Sequence, residues 1–213
     1  MEFINYLYKP IIIEYTKPKI QIFIKLFFIY YASAFSLSIF LGLLIKVSNI
    51  TNLINEIPEK KLFILSILAP VYEEIIFRSL LKFNKTNLIL FTSTISILIS
   101  LLFYRSDIKL GIMFFTILII FILILIIFKT STIQKTYNNH FNYIFYSSIL
   151  LFGFMHISNF SGSTMLIVLF SPLLVSPQLI LGAILGYIRM KNGLAYSILF
   201  HLLINFITII IFR

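Results

Sequence analysis

The sequence predicts an all-α fold, a polytopic membrane helical bundle of about seven or eight transmembrane helices. Three observations carry that prediction. Hydrophobic types make up 60% of the 213 residues and charged types 11%, against roughly 45–50% and about 25% in soluble domains. Mean hydropathy is +1.05. The apolar residues also come in long runs near the roughly 20 residues that a spanning helix needs, without the alternation of a barrel strand. No polar stretch is long enough for a second domain, so residues 1–213 read as a single membrane domain.

The elements follow in chain order. Residues 1–21 hold Lys9, Lys17, Lys19 and two prolines and read as an interfacial lead-in. No short apolar core with a small-residue cleavage site is present, so the first helix is expected to act as a signal anchor. Leu26–Ile45 is the first run, and the polar stretch Ile50–Lys61 is expected at the interface. Leu62–Leu81, the first motif helix, carries Glu73, Glu74 and Arg78. Pro70 either starts this helix or kinks it, which would free carbonyls to line a cavity. Leu88–Tyr104 and Leu110–Phe128 are the third and fourth runs. Phe141–Phe160 carries His156, and residues 141–213 hold the second and third motif helices. Thr164–Ile188 contains Pro172 and Pro177 and forms one kinked helix or two segments. Leu194–Phe212 carries His201 and Asn205.

Charge and rare residue types narrow the function. The net charge of +10 would suggest nucleic acid in a soluble protein. In short loops it fits the bilayer's anionic head groups, so no nucleic-acid partner is expected. Lysines before residue 26 favour a cytoplasmic N-terminus. Cysteine is absent, which excludes disulfides, thiolate metal sites and cysteine nucleophiles.

Five of the seven acidic residues, Glu2, Glu14, Glu56, Glu59 and Asp107, lie in terminal or loop segments. Glu73 and Glu74 alone lie within an apolar run, as do two of the three histidines, His156 and His201. An ionised group at a helix centre costs about 2.5–3.5 kcal/mol on insertion scales, which makes such residues functional candidates. Glu74 and Arg78 are four apart and share a helix face, whereas Glu73 points about 100° away. His201 and Asn205 share a face in the same way. A carboxylate can act as base toward water, and a histidine or an asparagine amide can donate to a developing oxyanion. Two histidines and a carboxylate also form a plausible zinc set, here Glu73, His156 and His201. No HExxH and no G-x-S-x-G is present. Gly182 and Gly186 read as close helix packing, and His140 as a solvated loop residue.

Glu73-Glu74-x-x-x-Arg78 within APVYEEIIFRSLL, Phe152-x-x-x-His156 within LLFGFMHIS, and His201-x-x-x-Asn205 within LGAILGYIRMKNGLAYSILFHLLINF together resemble the three motifs of the CPBP intramembrane proteases (CAAX protease and bacteriocin-processing, or Abi). The resemblance implies a membrane-embedded protease of CAAX-endopeptidase type, either glutamate-dependent with no cofactor or metal-dependent with zinc. It implies that Glu73 activates water with His156, that His201 and Asn205 stabilise the oxyanion, and that Glu74 and Arg78 support the site. Two departures stand out. Ser79 follows the arginine where glycine is frequent, and 88–128 reads as an inserted helical hairpin. The implied partner is a membrane-associated peptide or protein substrate. The wealth of Ile, Lys, Asn and Phe is that of an AT-rich bacterial source, where prenylated partners are not expected. A leader peptide or membrane-protein tail at the bacterial cytoplasmic membrane is therefore the expected substrate. Two other readings stand beside the protease: a non-catalytic immunity or accessory protein of the same fold, and a proton-coupled transporter. No inverted repeat supports the last.

Overall fold

The computed structural model describes residues 2–106, 108–127 and 131–212. Asp107 and the end of the fourth run at Phe128 lie outside them. The described residues form α1 (Glu2–Tyr8), α2 (Ile20–Ser48), β1 (Thr51–Asn52), α3 (Glu59–Arg78), α4 (Lys85–Ser106), α5 (Ile108–Ile127), α6 (Ser131–Asn139), α7 (Phe141–Met155), β2 (Phe160–Ser161), α8 (Thr164–Leu174), α9 (Ser176–Asn192) and α10 (Leu194–Phe212). The all-α prediction holds.

Among the described residues, two or three candidate spans are long and apolar enough to cross a membrane. By length and composition, Ile20–Ser48 and Phe141–Asn159 are each sufficient to cross a membrane. Thr164–Leu174 and Ser176–Asn192 make a third if they are one span bent by 40°. Among the described residues, the apolar stretches Lys85–Leu101 of α4 and Leu194–Ile210 of α10 are shorter. Helix α3 is interrupted by the charges that mark it as a motif helix.

Local chemistry sets the breaks. Asn49 takes a left-handed conformation (φ 52°) that ends α2, and its N–H donates to Ile45 O. Pro70 does not start α3. It sits buried inside a helix that begins at Glu59, where it withholds the bond that Ser66 O would otherwise accept. Pro177 falls in the first turn of α9, where its missing N–H costs no helix bond. The bend between α8 and α9 therefore comes at Val175. Gly193 ends α9 at φ 107°, a conformation that side-chain-bearing residues rarely adopt.

Helix α9 is the centre of the bundle. Ile184, Leu185, Ile188 and Met190 are fully buried, as expected of a helix apolar on all sides. Helices α1, α2, α3, α7, α8 and α10 pack around it. Its glycines set how closely they approach. A Cβ on Gly182 would lie 3.1 Å from Phe152 Cδ1, and one on Gly186 3.0 Å from Phe145 Cε2. Gly186→Ala should therefore lower the unfolding midpoint in detergent. Overpacking against the buried Phe145 costs about 1–3 kcal/mol, which outweighs the roughly 1 kcal/mol of helix propensity gained.

The pair α4–α5 packs as a hairpin that joins the bundle through α4 against α3. It does not come between the motif helices, because Ser148 on α7 donates to Phe77 O at 2.7 Å. At the other end of α7, β2 pairs antiparallel with β1 in the register Thr51↔Ser161 and Asn52↔Phe160. This ties the loop after His156 to the loop after α2.

The lead-in, α1 and the extended chain to Lys19, lies against the last turn of α9. Phe3 and Tyr6 meet Tyr187 edge-on, with ring centroids 5.4 and 5.3 Å apart. Lys191 Nζ donates to Glu2 Oε1. That bond holds the Glu2 carboxyl below its usual value of 4.5. The sign follows from linkage: the contact contributes fully above 4.5 and is lost as pH falls through the lowered value. Acidification should raise amide exchange in residues 2–8, and Glu2→Gln should remove that pH dependence.

Candidate active site

The site forms where α3, α7, α9 and α10 meet. Its first requirement is a fixed end to α3. The last carbonyls of a helix have no partner within it, and here side chains from several elements take them. Ser148 donates to Phe77 O, Arg189 Nε to Arg78 O at 2.9 Å, and Arg189 Nη2 to Ser79 O at 3.3 Å. Tyr137 donates to Leu80 O at 2.5 Å and Asn87 to Lys82 O at 2.6 Å. The final turn of the motif helix is therefore held in one register, and Glu73 and Glu74 with it.

The two adjacent carboxylates have different surroundings. Glu74 is completely buried, whereas the Glu73 side chain keeps 14% of its surface exposed. Glu74 Oε2 accepts from Ser197 Oγ, and Arg78 Nε lies 3.9 Å away. His201 Nδ1 is 3.2 Å from Glu74 Oε1, and His201 Nε2 is 3.7 Å from Glu73 Oε2. One imidazole thus lies between the two glutamates, a nitrogen toward each. Glu74 at Nδ1 orients the ring, which leaves Nε2 facing the more open carboxylate.

Phe152 organises the apolar side of the site. The Arg78 guanidinium carbon is 4.3 Å from its ring centroid, a cation–π contact. Arg78 Nη2 donates to Gly182 O at 3.3 Å. The His201 ring meets Phe152 edge-on at 5.6 Å and His156 packs on it at 5.0 Å.

Glu73, Glu74, Arg78 and His201 are therefore brought together. His156 is half-buried on the same phenylalanine, but its Nδ1 is 2.8 Å from the carbonyl of Phe152 in the last turn of α7. Among the described residues it makes no hydrogen bond to Glu73 or His201. Asn205 lies one turn beyond His201 on α10, half-buried, and among the described residues it makes no hydrogen bond to the cluster. Among the described residues no three His, Asp or Glu side chains gather at one point suited to an ion, so Glu73, His156 and His201 are not assembled as a ligand set. His140 is exposed at the start of α7.

Reading the sequence missed three contributors: Ser197, Arg189 and Tyr15. Ser197 had a signal, since it stands four residues before His201 and continues the 197–201–205 row on one helix face. Arg189 had only its charge, just past the end of the apolar run Thr164–Ile188. Tyr15, whose hydroxyl accepts from Arg189 Nη1 at 2.7 Å, had none.

A family model described as Type II CAAX prenyl endopeptidase Rce1-like matches residues 60–207. No curated protein and no solved structure matches the chain. The matched span begins with α3, runs through the α4–α5 hairpin and ends beyond Asn205, so it contains all three motifs and every member of the Glu73–Glu74–Arg78–His201 cluster. This is an integral membrane protein, and it belongs to the Type II CAAX prenyl endopeptidase Rce1-like family.

Proposed function

We propose that the protein is a multi-pass intramembrane endopeptidase that hydrolyses a peptide bond in a membrane-associated peptide or protein, with Glu73 as the base toward water. The observation that carries this reading is the position of His201 between Glu73 and Glu74. In a membrane bundle, such an arrangement serves proton transfer better than it serves packing. The more open Glu73 takes a proton as the water oxygen attacks the carbonyl carbon. His201, oriented by Glu74, exchanges protons through Nε2 on the Glu73 side. The negative oxygen that forms needs hydrogen-bond donors, and His156, which packs on Phe152, and Asn205, one turn along α10 from His201, supply them. The proton then goes to the amide nitrogen as the C–N bond breaks, giving a carboxylate and an amine.

Arg78 balances the charge of the glutamates from the buried side and touches no substrate. The crossing segments are α2, α3, α4, α5, α7, the bent α8–α9 pair and α10, seven in all, in a bacterial cytoplasmic membrane. The family name implies a prenylated C-terminal peptide, and the composition favours a leader peptide or membrane-protein tail.

The test is direct. The purified chain in liposomes is given a farnesylated peptide ending in a CAAX sequence and, separately, a membrane-anchored leader peptide, and products are read by mass spectrometry. A single cut in one of them, unchanged by a chelator, supports the glutamate reading. Loss on chelation and return with zinc would shift the mechanism to metal. No cut in either, with flux that follows a pH gradient, would make the protein a transporter.

A further inference from the structure

The lead-in lies outside residues 60–207 matched by the family model, yet it reaches the site through one buried arginine. Arg189 is 3% exposed in the last turn of α9. Each of its three nitrogens has an acceptor: Nε donates to Arg78 O, Nη2 to Ser79 O and Nη1 to the Tyr15 hydroxyl. Two of these close the end of α3, and the third comes from the extended chain before α2.

That chain is itself fixed on several sides. Thr16 N donates to Lys191 O at 2.8 Å, and Asn192 Nδ2 donates to Thr16 O at 3.0 Å. Lys82, just past the end of α3, puts its ammonium 3.4 Å from the Tyr15 ring centroid. Gly193, at φ 107°, brings the chain close to that ring, so that a Cβ there would stand 3.9 Å from it. Residues 15–16, Lys82 and the end of α9 thus form one polar clasp around Arg189.

We propose that Arg189, held by Tyr15, is a positioning residue for Glu73 and Glu74, so that the lead-in is a working part of the site. Glu73 is five residues before Arg78, about 7.5 Å along the axis. A guanidinium that bonds two successive carbonyls resists both rotation and translation of that turn, which a single ammonium does not. The direction in which the two carboxylates meet His201 follows from it. Arg189 touches no reacting atom. Its action runs through the α3 backbone, and misplacement of a reacting group by about 1 Å can cost a hundredfold in rate.

The proposal rests on the reading of Glu73 and His201 as the reacting groups, so its test includes a readout that needs no turnover. Tyr15→Phe and Arg189→Lys are compared with the parent full-length chain in liposomes. Cleavage of the farnesylated CAAX peptide and of the leader peptide gives kcat and KM. The pH titration of the His201 ring is followed by NMR of histidine-labelled protein, with His140 as internal control. Expected are a kcat about threefold lower for Tyr15→Phe and about tenfold lower for Arg189→Lys, with KM within about twofold. The His201 titration shifts in both, while His140 and the unfolding midpoint of Tyr15→Phe stay unchanged. Parent-like kcat and His201 titration in both variants would overturn the clasp. So would a fall in kcat that only tracks a lower midpoint. If the parent cleaves neither peptide, the endopeptidase reading fails and the clasp is decided by the titration alone: a shift upholds it, and no shift overturns it.

Discussion

Glu73→Gln is expected to lower turnover about a thousandfold or more and to leave the protein folded. A positioned general base contributes roughly 10²–10⁴ in rate, and an amide in its place cannot take the proton from water. The substitution is nearly isosteric. Among the described residues Glu73 makes one ionic contact, to His201 at 3.7 Å, and its side chain is partly open, so little stability is at stake. Glu74→Gln should behave differently. It keeps a carbonyl oxygen for Ser197 or His201 but removes the charge that faces Arg78, so both stability and turnover fall. Measured kcat and unfolding midpoints for the two variants separate the adjacent glutamates. Cleavage by Glu73→Gln at the parent rate would end its assignment as the base. A Glu73→Gln protein that melts early would make Glu73 a structural residue instead.

What the sequence made legible, and what it did not, follows from the range of the interactions involved. The helices were legible because burial in lipid leaves long apolar runs, and because Pro172 and Pro177 mark where such a run breaks. The shared face of Glu74 and Arg78 was legible because helix geometry fixes neighbours four residues apart. The allegiance of His201 was not. The resemblance pairs Glu73 with His156 at the reacting water, whereas the structure has His201 in ion-pair range of Glu73. That distance depends on how α10 docks against α3, and no periodicity within either helix encodes it. The clasp of Tyr15 and Arg189 joins positions 174 apart in the chain and gives no local pattern. Composition alone does not settle the number of spans, for a related reason. An apolar run shows that a segment avoids water, yet in α9 much of that apolarity faces other helices rather than lipid.

Arg78→Leu is expected to destabilise the fold by about 3–5 kcal/mol, the range for removal of one partner of a buried ion pair. Both side chains are fully buried, so Glu74 would be left without a counter-charge in a low-dielectric interior. Ser197 and His201 are its remaining partners. Part of the loss has another source, since Arg78 also donates to Gly182 O and stacks on Phe152. The double variant Arg78→Leu with Glu74→Gln separates the two. If the buried charge dominates, neutralising it restores much of what Arg78→Leu took away, and the double variant is more stable than Arg78→Leu alone. If packing dominates, the two losses add. Arg78→Lys completes the series: it keeps the charge but cannot reproduce the planar stack on Phe152 or the bond to Gly182. Unfolding in mixed micelles gives the free energies of the parent, of Arg78→Leu, Glu74→Gln and Arg78→Lys, and of the double variant. Near-parental stability for Arg78→Lys would identify charge balance as the function of this arginine. Stability as low as that of Arg78→Leu would place that function in the stack that holds Phe152 between the two histidines. The first outcome makes Arg78 the counter-charge of Glu74, and the second makes it the support on which His156 and His201 are spaced.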